Sequence, residues 1–220
     1  VRIVDDIVEE TGIKRRPLIR NTLLGAVALA PLPALAVFGD LGPRPDDKLA
    51  HTMWAPQDGK LKRLTRDPDG TPIKAADVTI GSAFHVIPEG LNELHEGKLN
   101  EKAKAVVLLM RLNPESLNPS PGREDWGYNG IVAYSKICTH VGCPVALYEQ
   151  QTHHLLCPCH QSTFDLTQEC KVIFGPASRP LPQLPIAVDA EGYLVATSDF
   201  HEPVGPSYWE REQHERNINA

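Results

Sequence analysis

Apolar and polar positions divide the chain near residue 40. From Asn21 to Gly39, NTLLGAVALAPLPALAVFG, 19 consecutive residues carry no charge, close to the roughly 20 that a helix needs to cross a bilayer's hydrocarbon. Pro31 and Pro33 are expected to kink that helix. No polar face interrupts the run, so it lacks the 3.6-residue period of a helix packed on a soluble core. Lys14, Arg15, Arg16 and Arg20 precede it, and Asp40, Asp46 and Asp47 follow. This Lys/Arg bias predicts a cytoplasmic segment over 1–20, a transmembrane helix over 21–39 and everything later outside the membrane.

Beyond a Pro-, Gly- and charge-rich hinge linker over 40–50, DLGPRPDDKLA, the pattern changes to short extended candidates. These are 77–87, 103–112, 130–137, 145–149 and 153–156, with 185–188 and 193–197 forming a hairpin. Their spacing predicts an antiparallel β-sandwich or small barrel over 51–200. A short helix is expected within 91–104, a loop over 115–126, and a polar surface arm from His201 to the end.

Composition adds limits. The chain has 220 residues and is 41 % apolar, enough for a real core, and its 20 prolines favour fixed loops over long helices. A net charge of -6, with no basic patch beyond 14–20, argues against a nucleic-acid partner. KRRPLIR at 14–20 resembles a twin-arginine export signal, and Ala34-Leu35-Ala36 a small-residue cleavage site. The apolar run is longer than the roughly 7–15 residues of a signal core, so it reads as an uncleaved anchor.

Four of the five cysteines lie in two short stretches, CTHVGC at 138–143 and CPCHQS at 157–162. Each offers three ligand candidates: Cys138, His140 and Cys143 in one, Cys157, Cys159 and His160 in the other. Six are too many for one tetrahedral zinc. A two-iron cluster with four protein ligands leaves two over, and cysteines left over on different loops can bridge in an oxidising compartment.

The paired stretches resemble the cluster-binding loops of Rieske iron-sulfur proteins, over about 130–198, with GPASRPLPQLP at 175–185 similar to the proline-rich loop that covers the cluster. The resemblance implies a β-sandwich head with a small cluster-binding subdomain near 130–185. It implies a 2Fe-2S cluster held by Cys138 and Cys157 on one iron and by His140 and His160 on the other. Cys143 and Cys159 would form the disulfide that joins the loops, and Ser162 would donate to a cluster sulfur. Gly142 fits the sharp turn of the first loop. Two positions depart from many respiratory members: Gln161 stands where they have Gly, and Phe164 where they have Tyr. Phe164 cannot donate to a ligand sulfur, which implies a lower potential and menaquinol as the quinol.

The resemblance narrows to the Rieske subunit of cytochrome bc1-type complexes of the actinobacterial kind, from the twin-arginine-like motif beside an uncleaved span and from a large insertion over 89–126. That implies an electron-transfer subunit of a quinol:cytochrome c oxidoreductase in the bacterial plasma membrane, with its head outside and further transmembrane helices upstream. Its partners would be a cytochrome b subunit, a c-type cytochrome and, in a supercomplex, a terminal oxidase. His160 would hydrogen-bond the quinol, and the head would swing on the 40–50 linker. Two readings compete: the small Rieske subunit of an exported soluble oxidoreductase of the arsenite oxidase type, and a zinc-stabilised interaction module.

The remaining candidates support no site. Cys170 lacks a partner motif and is expected to be a buried or loop thiol; His153 and His154 alternate along an extended segment, which turns one of them outward; His51, His85, His95 and His201 have no metal spacing. No nucleophile elbow, phosphate loop or dinucleotide fingerprint is present.

Overall fold

The computed structural model describes residues 2–12, 15–39, 51–56 and 59–206. The expected hinge at 40–50 and the end of the expected arm, 207–220, lie outside them. The chain divides into two units, Val1–Pro45 and Asp46–Ala220.

In the first unit, α1 (Arg2–Glu10) precedes α2 (Pro17–Leu29) and α3 (Leu32–Gly39). Together α2 and α3 form an apolar stretch, Pro17–Gly39, long enough to cross a membrane, with none of it buried against protein. The stretch begins four residues earlier than its charge-free part, because Pro17 pre-sets the first helical turn. The regular helix is interrupted at Ala30–Pro31, beside the two prolines Pro31 and Pro33 that lack the N–H groups to continue the ladder, and it resumes with Leu35 N–H donating to the Pro31 carbonyl at 2.9 Å.

The second unit is built on two antiparallel sheets. The larger runs in the order β4-β3-β2-β1-β10-β9, from β1 (Lys62–Arg66), β2 (Ala83–Pro88), β3 (Val107–Arg111), β4 (Ile131–Ser135), β9 (Ile186–Val188) and β10 (Leu194–Ala196). The smaller runs β5-β6-β7-β8, from β5 (Leu147–Glu149), β6 (His154–Leu156), β7 (Thr163–Asp165) and β8 (Lys171–Phe174). The hairpin of β9 and β10 stands where the sequence puts it.

Strands β3 and β4 position everything else. On their one face Val107, Leu109, Ile131 and Ala133 join Trp54, Leu64, Val86 and Leu194 in the main core. On the other face Leu108, Met110, Val132 and Tyr134 join Leu155, Phe164, Leu166 and Cys170 in a second core under the small sheet. Side chains alternate across a strand, so two cores on one strand require the unbroken apolar run VVLLM at 106–110.

Three expectations need correction. Residues 89–126 are not simply an insertion, because they contain β3, one of the inner strands. Helix α4 (Lys98–Ala105) occupies the start of the stretch read as extended from 103. Residues 201–206 are not a free arm: His201 packs on Trp126 at 4.6 Å between ring centres, and Arg179 donates to the Gly205 carbonyl at 2.6 Å.

Candidate metal centre

The two cysteine-histidine stretches are the loops after β4 and after β6, and they close alike. In the first, Gly142 N–H donates to the Cys138 carbonyl (3.0 Å) and Cys138 N–H to the Cys143 carbonyl (2.9 Å). In the second, Gln161 N–H donates to the Cys157 carbonyl (3.0 Å) and Cys157 N–H to the Ser162 carbonyl (2.9 Å). The fifth residue of each closure is left-handed: Gly142 at φ +82° and Gln161 at φ +62°. Glycine takes that conformation freely, while glutamine does so at a cost of about 1–2 kcal/mol.

These closures place Cys138 and Cys157 at equivalent positions, each 1 % exposed with a free thiol. His140 is half-buried and His160 exposed, their rings edge to face with centres 4.7 Å apart. Cys143 and Cys159 form a disulfide between the loops, with Cα atoms 6.5 Å apart, inside the span a disulfide bridges. The sulfurs of Cys143, Cys157 and Cys159 all lie within 4.8 Å of one another. That trio is not a thiolate ligand set, because two of its sulfurs are bonded to each other.

The Cys138 thiol is pushed up first by burial and further by the neighbouring Cys157 sulfur, against the pull of the His140 backbone N–H and the Ser162 hydroxyl. Two buried thiolates in contact repel unless a cation lies between them. The buried Nδ1 of His140 has no hydrogen-bond partner, unusual for a buried polar atom and suited to a ligand atom facing a metal. Two soft thiols and an unpartnered imidazole nitrogen fit a two-iron cluster of mixed ligation.

The proline-rich loop covers both stretches. A Cβ on Gly175, at φ +89°, would come within 2.5 Å of the Ser162 Cα, so only glycine permits this approach. Ala177 N–H donates to the Ser162 hydroxyl oxygen at 3.1 Å, Thr139 Oγ1 donates to the Arg179 carbonyl at 2.6 Å, and Ser135 N–H donates to the Pro182 carbonyl at 2.8 Å. Phe164, 0 % exposed, sits on the inward row of β7 between Leu155 and Val172.

The other candidates lie elsewhere. Cys170 is fully buried in the second core, where burial holds its thiol well above the ordinary range. His153 faces the Tyr148 hydroxyl through Nδ1 at 3.4 Å, and both His153 and His154 are half-buried, so neither is the fully outward residue that alternation suggests. Sequence reasoning missed Thr139 and Arg179. The former's only signal was a hydroxyl residue between two ligand candidates, and the latter's was a single cation in a proline-rich loop.

The Rieske [2Fe-2S] domain family matches residues 93–185, which include both loops and the proline-rich cover. A Streptomyces coelicolor protein described as "Cytochrome bc1 complex Rieske iron-sulfur subunit" is 55 % identical over 203 residues, covering 92 % of this chain and 56 % of its own length. A Streptomyces lividans protein of the same description is 56 % identical over 172 residues, 78 % of this chain and 98 % of its own. One from Mycobacterium bovis is 38 % identical over 239 residues, 94 % and 55 %. The chain thus spans about half the length of the S. coelicolor and M. bovis relatives. On the near-complete match to the S. lividans protein and the domain match over the cluster loops, the chain belongs to the family of Rieske iron-sulfur subunits of cytochrome bc1 complexes.

Proposed function

We propose that the chain is the electron-transfer subunit of a membrane quinol:cytochrome c oxidoreductase, with a 2Fe-2S cluster gripped by the thiolates of Cys138 and Cys157 on one iron and by His140 and His160 on the other. One observation carries this reading: two buried free thiols and two imidazoles in ring contact meet where a disulfide ties two loops together. When bound, such a cluster supplies one-electron chemistry at a potential above that of all-thiolate clusters.

The residues divide the remaining work. His160 is the exposed imidazole, so it is the one a quinol hydroxyl would reach, and with one ring nitrogen holding the cluster its other nitrogen would be the atom that takes the quinol proton. His140 lies half under cover with its Nδ1 inward, which suits a ligand that is not reached by substrate. The Ser162 hydroxyl, fully buried at the Cys138 sulfur, is the donor placed to stabilise sulfur charge. Phe164 offers no second donor, which favours a lower potential and menaquinol as the quinol.

The apolar stretch Pro17–Gly39 is the membrane anchor, and the Lys/Arg residues before it favour a head on the outer side. Partners of matching chemistry are a cytochrome b subunit bearing the quinol site, a c-type haem subunit that takes the electron and, in a supercomplex, a terminal oxidase. The experiment is an electron paramagnetic resonance spectrum of the dithionite-reduced protein with iron and sulfide analysis. The expected result is a rhombic signal with iron and acid-labile sulfide in equal amounts. Zinc in place of iron overturns the reading and favours an interaction module.

A further inference from the structure

Segment 199–206 runs from one end of the head to the first cluster loop and is held at each step. At its start the Asp199 carboxylate accepts from Thr52 N–H (2.7 Å), the Thr52 hydroxyl (2.6 Å) and Phe200 N–H (2.8 Å). Midway, Glu202 pairs with Arg123 and His201 packs on Trp126. At its end the chain lies against the first loop: a Cβ on Gly205 would be 3.1 Å from Ile137 Cγ2, and one on Gly142 would be 3.5 Å from Pro206 Cδ.

Arg179 joins this strap to the proline-rich cover. Its guanidinium donates to the carbonyls of Pro203 and Gly205, while its own carbonyl accepts from Thr139, the 2 % exposed residue between Cys138 and His140. We infer that Arg179 is a positioning residue for the cluster site: it locks the C-terminal strap and the proline-rich cover onto the first loop and so fixes the backbone that carries His140. The inference rests on the ligand set proposed above. Both bonds come from one guanidinium nitrogen, Nη2, which offers two N–H groups on a charged, planar head and so reaches two carbonyls of the strap at once. Thr139 completes the linkage, since its hydroxyl donates to the Arg179 carbonyl and so ties the cover to the residue beside His140.

The test uses the full chain with its cluster and compares wild type with Arg179→Lys, Arg179→Gln and Thr139→Val. Arg63→Gln is the control, since its ion pairs with Asp189 and Glu191 hold the β9–β10 turn away from the loops. Three readouts are taken: the rhombic spectrum of the reduced protein, the rate of iron loss to a chelator, and hydrogen exchange at the His140 amide. Arg179→Gln is expected to shift the spectrum, to lose iron about tenfold faster, the factor one lost charge-assisted bond supplies, and to exchange faster at His140, while Arg179→Lys, which keeps a charged donor, is expected to fall between it and wild type. Thr139→Val is expected to act as Arg179→Gln does, to a lesser degree, and Arg63→Gln to match wild type. Wild-type behaviour of Arg179→Gln overturns the inference, since the charged donor to the strap would then position nothing; so does equal weakening by Arg63→Gln. If wild type itself shows no iron signal, the ligand assignment fails instead, and faster His140 exchange in the Arg179 variants still reports on the strap.

Discussion

The two cluster loops are the same device built from different parts. Each starts from a buried cysteine whose carbonyl and N–H close the loop four and five residues later, and each turns at a left-handed residue. They differ in what fills the turn. The first loop puts its histidine two residues after the cysteine, half-buried and lidded by the proline-rich cover; the second puts it three residues after, on an exposed rim. The first ends in a cysteine of the disulfide, the second in a fully buried serine. Equal closure with unequal cover shelters one imidazole and leaves the other exposed.

The strongest way to break the equivalence is at the paired cysteines. Cys138→Ser and Cys157→Ser should each abolish the rhombic signal entirely; retention of it by either variant would mean the loops are not equivalent ligand donors. Next comes the tie between them. Cys143→Ser or Cys159→Ser removes a link across a sequence separation of 16, expected to lower thermal stability by roughly 3 kcal/mol through the unfolded chain's regained freedom, as a calorimetric melt would read. The turns come third: Gly142→Ala should destabilise the head by about 1–2 kcal/mol, the left-handed cost for a residue with a Cβ. Gln161→Gly should stabilise it by about 0.5 kcal/mol, since relief of that cost exceeds glycine's extra entropy loss on folding. Opposite signs in parallel denaturation curves sharpen the contrast, and equal signs defeat it. The smallest effect is expected at Phe164→Tyr, where a new hydroxyl beside the cluster should raise the midpoint in a redox titration; an unchanged midpoint removes the argument for menaquinol.

The sequence made the loops legible because metal chemistry restricts which residue types can serve and how far apart they stand. Cys138, His140, Cys157 and His160 are distinctive in any fold. The sheets were partly legible. Strand β1, KRLTR, hides its identity because only Leu64 and Thr65 point into buried space, while Arg63 and Arg66 lie over the rings of Tyr193 and Phe84. Strands β7 and β8 are too short for a period to emerge, and a bulge near Thr163 interrupts their register. The strap at 199–206 was illegible for a different reason. Its links to Arg179 go through backbone carbonyls, which every residue has, so no side-chain pattern announces them.

The double-faced strand β3 has a further consequence for anyone who would transplant this centre. Leu108 and Met110 line the core beneath the loops, whereas Val107 and Leu109 belong to the opposite core. A miniature carrying only the loops and the small sheet would leave that shared wall behind and bare Leu155, Phe164 and Leu166, which pack against it, and it should aggregate unless those positions are redesigned as polar.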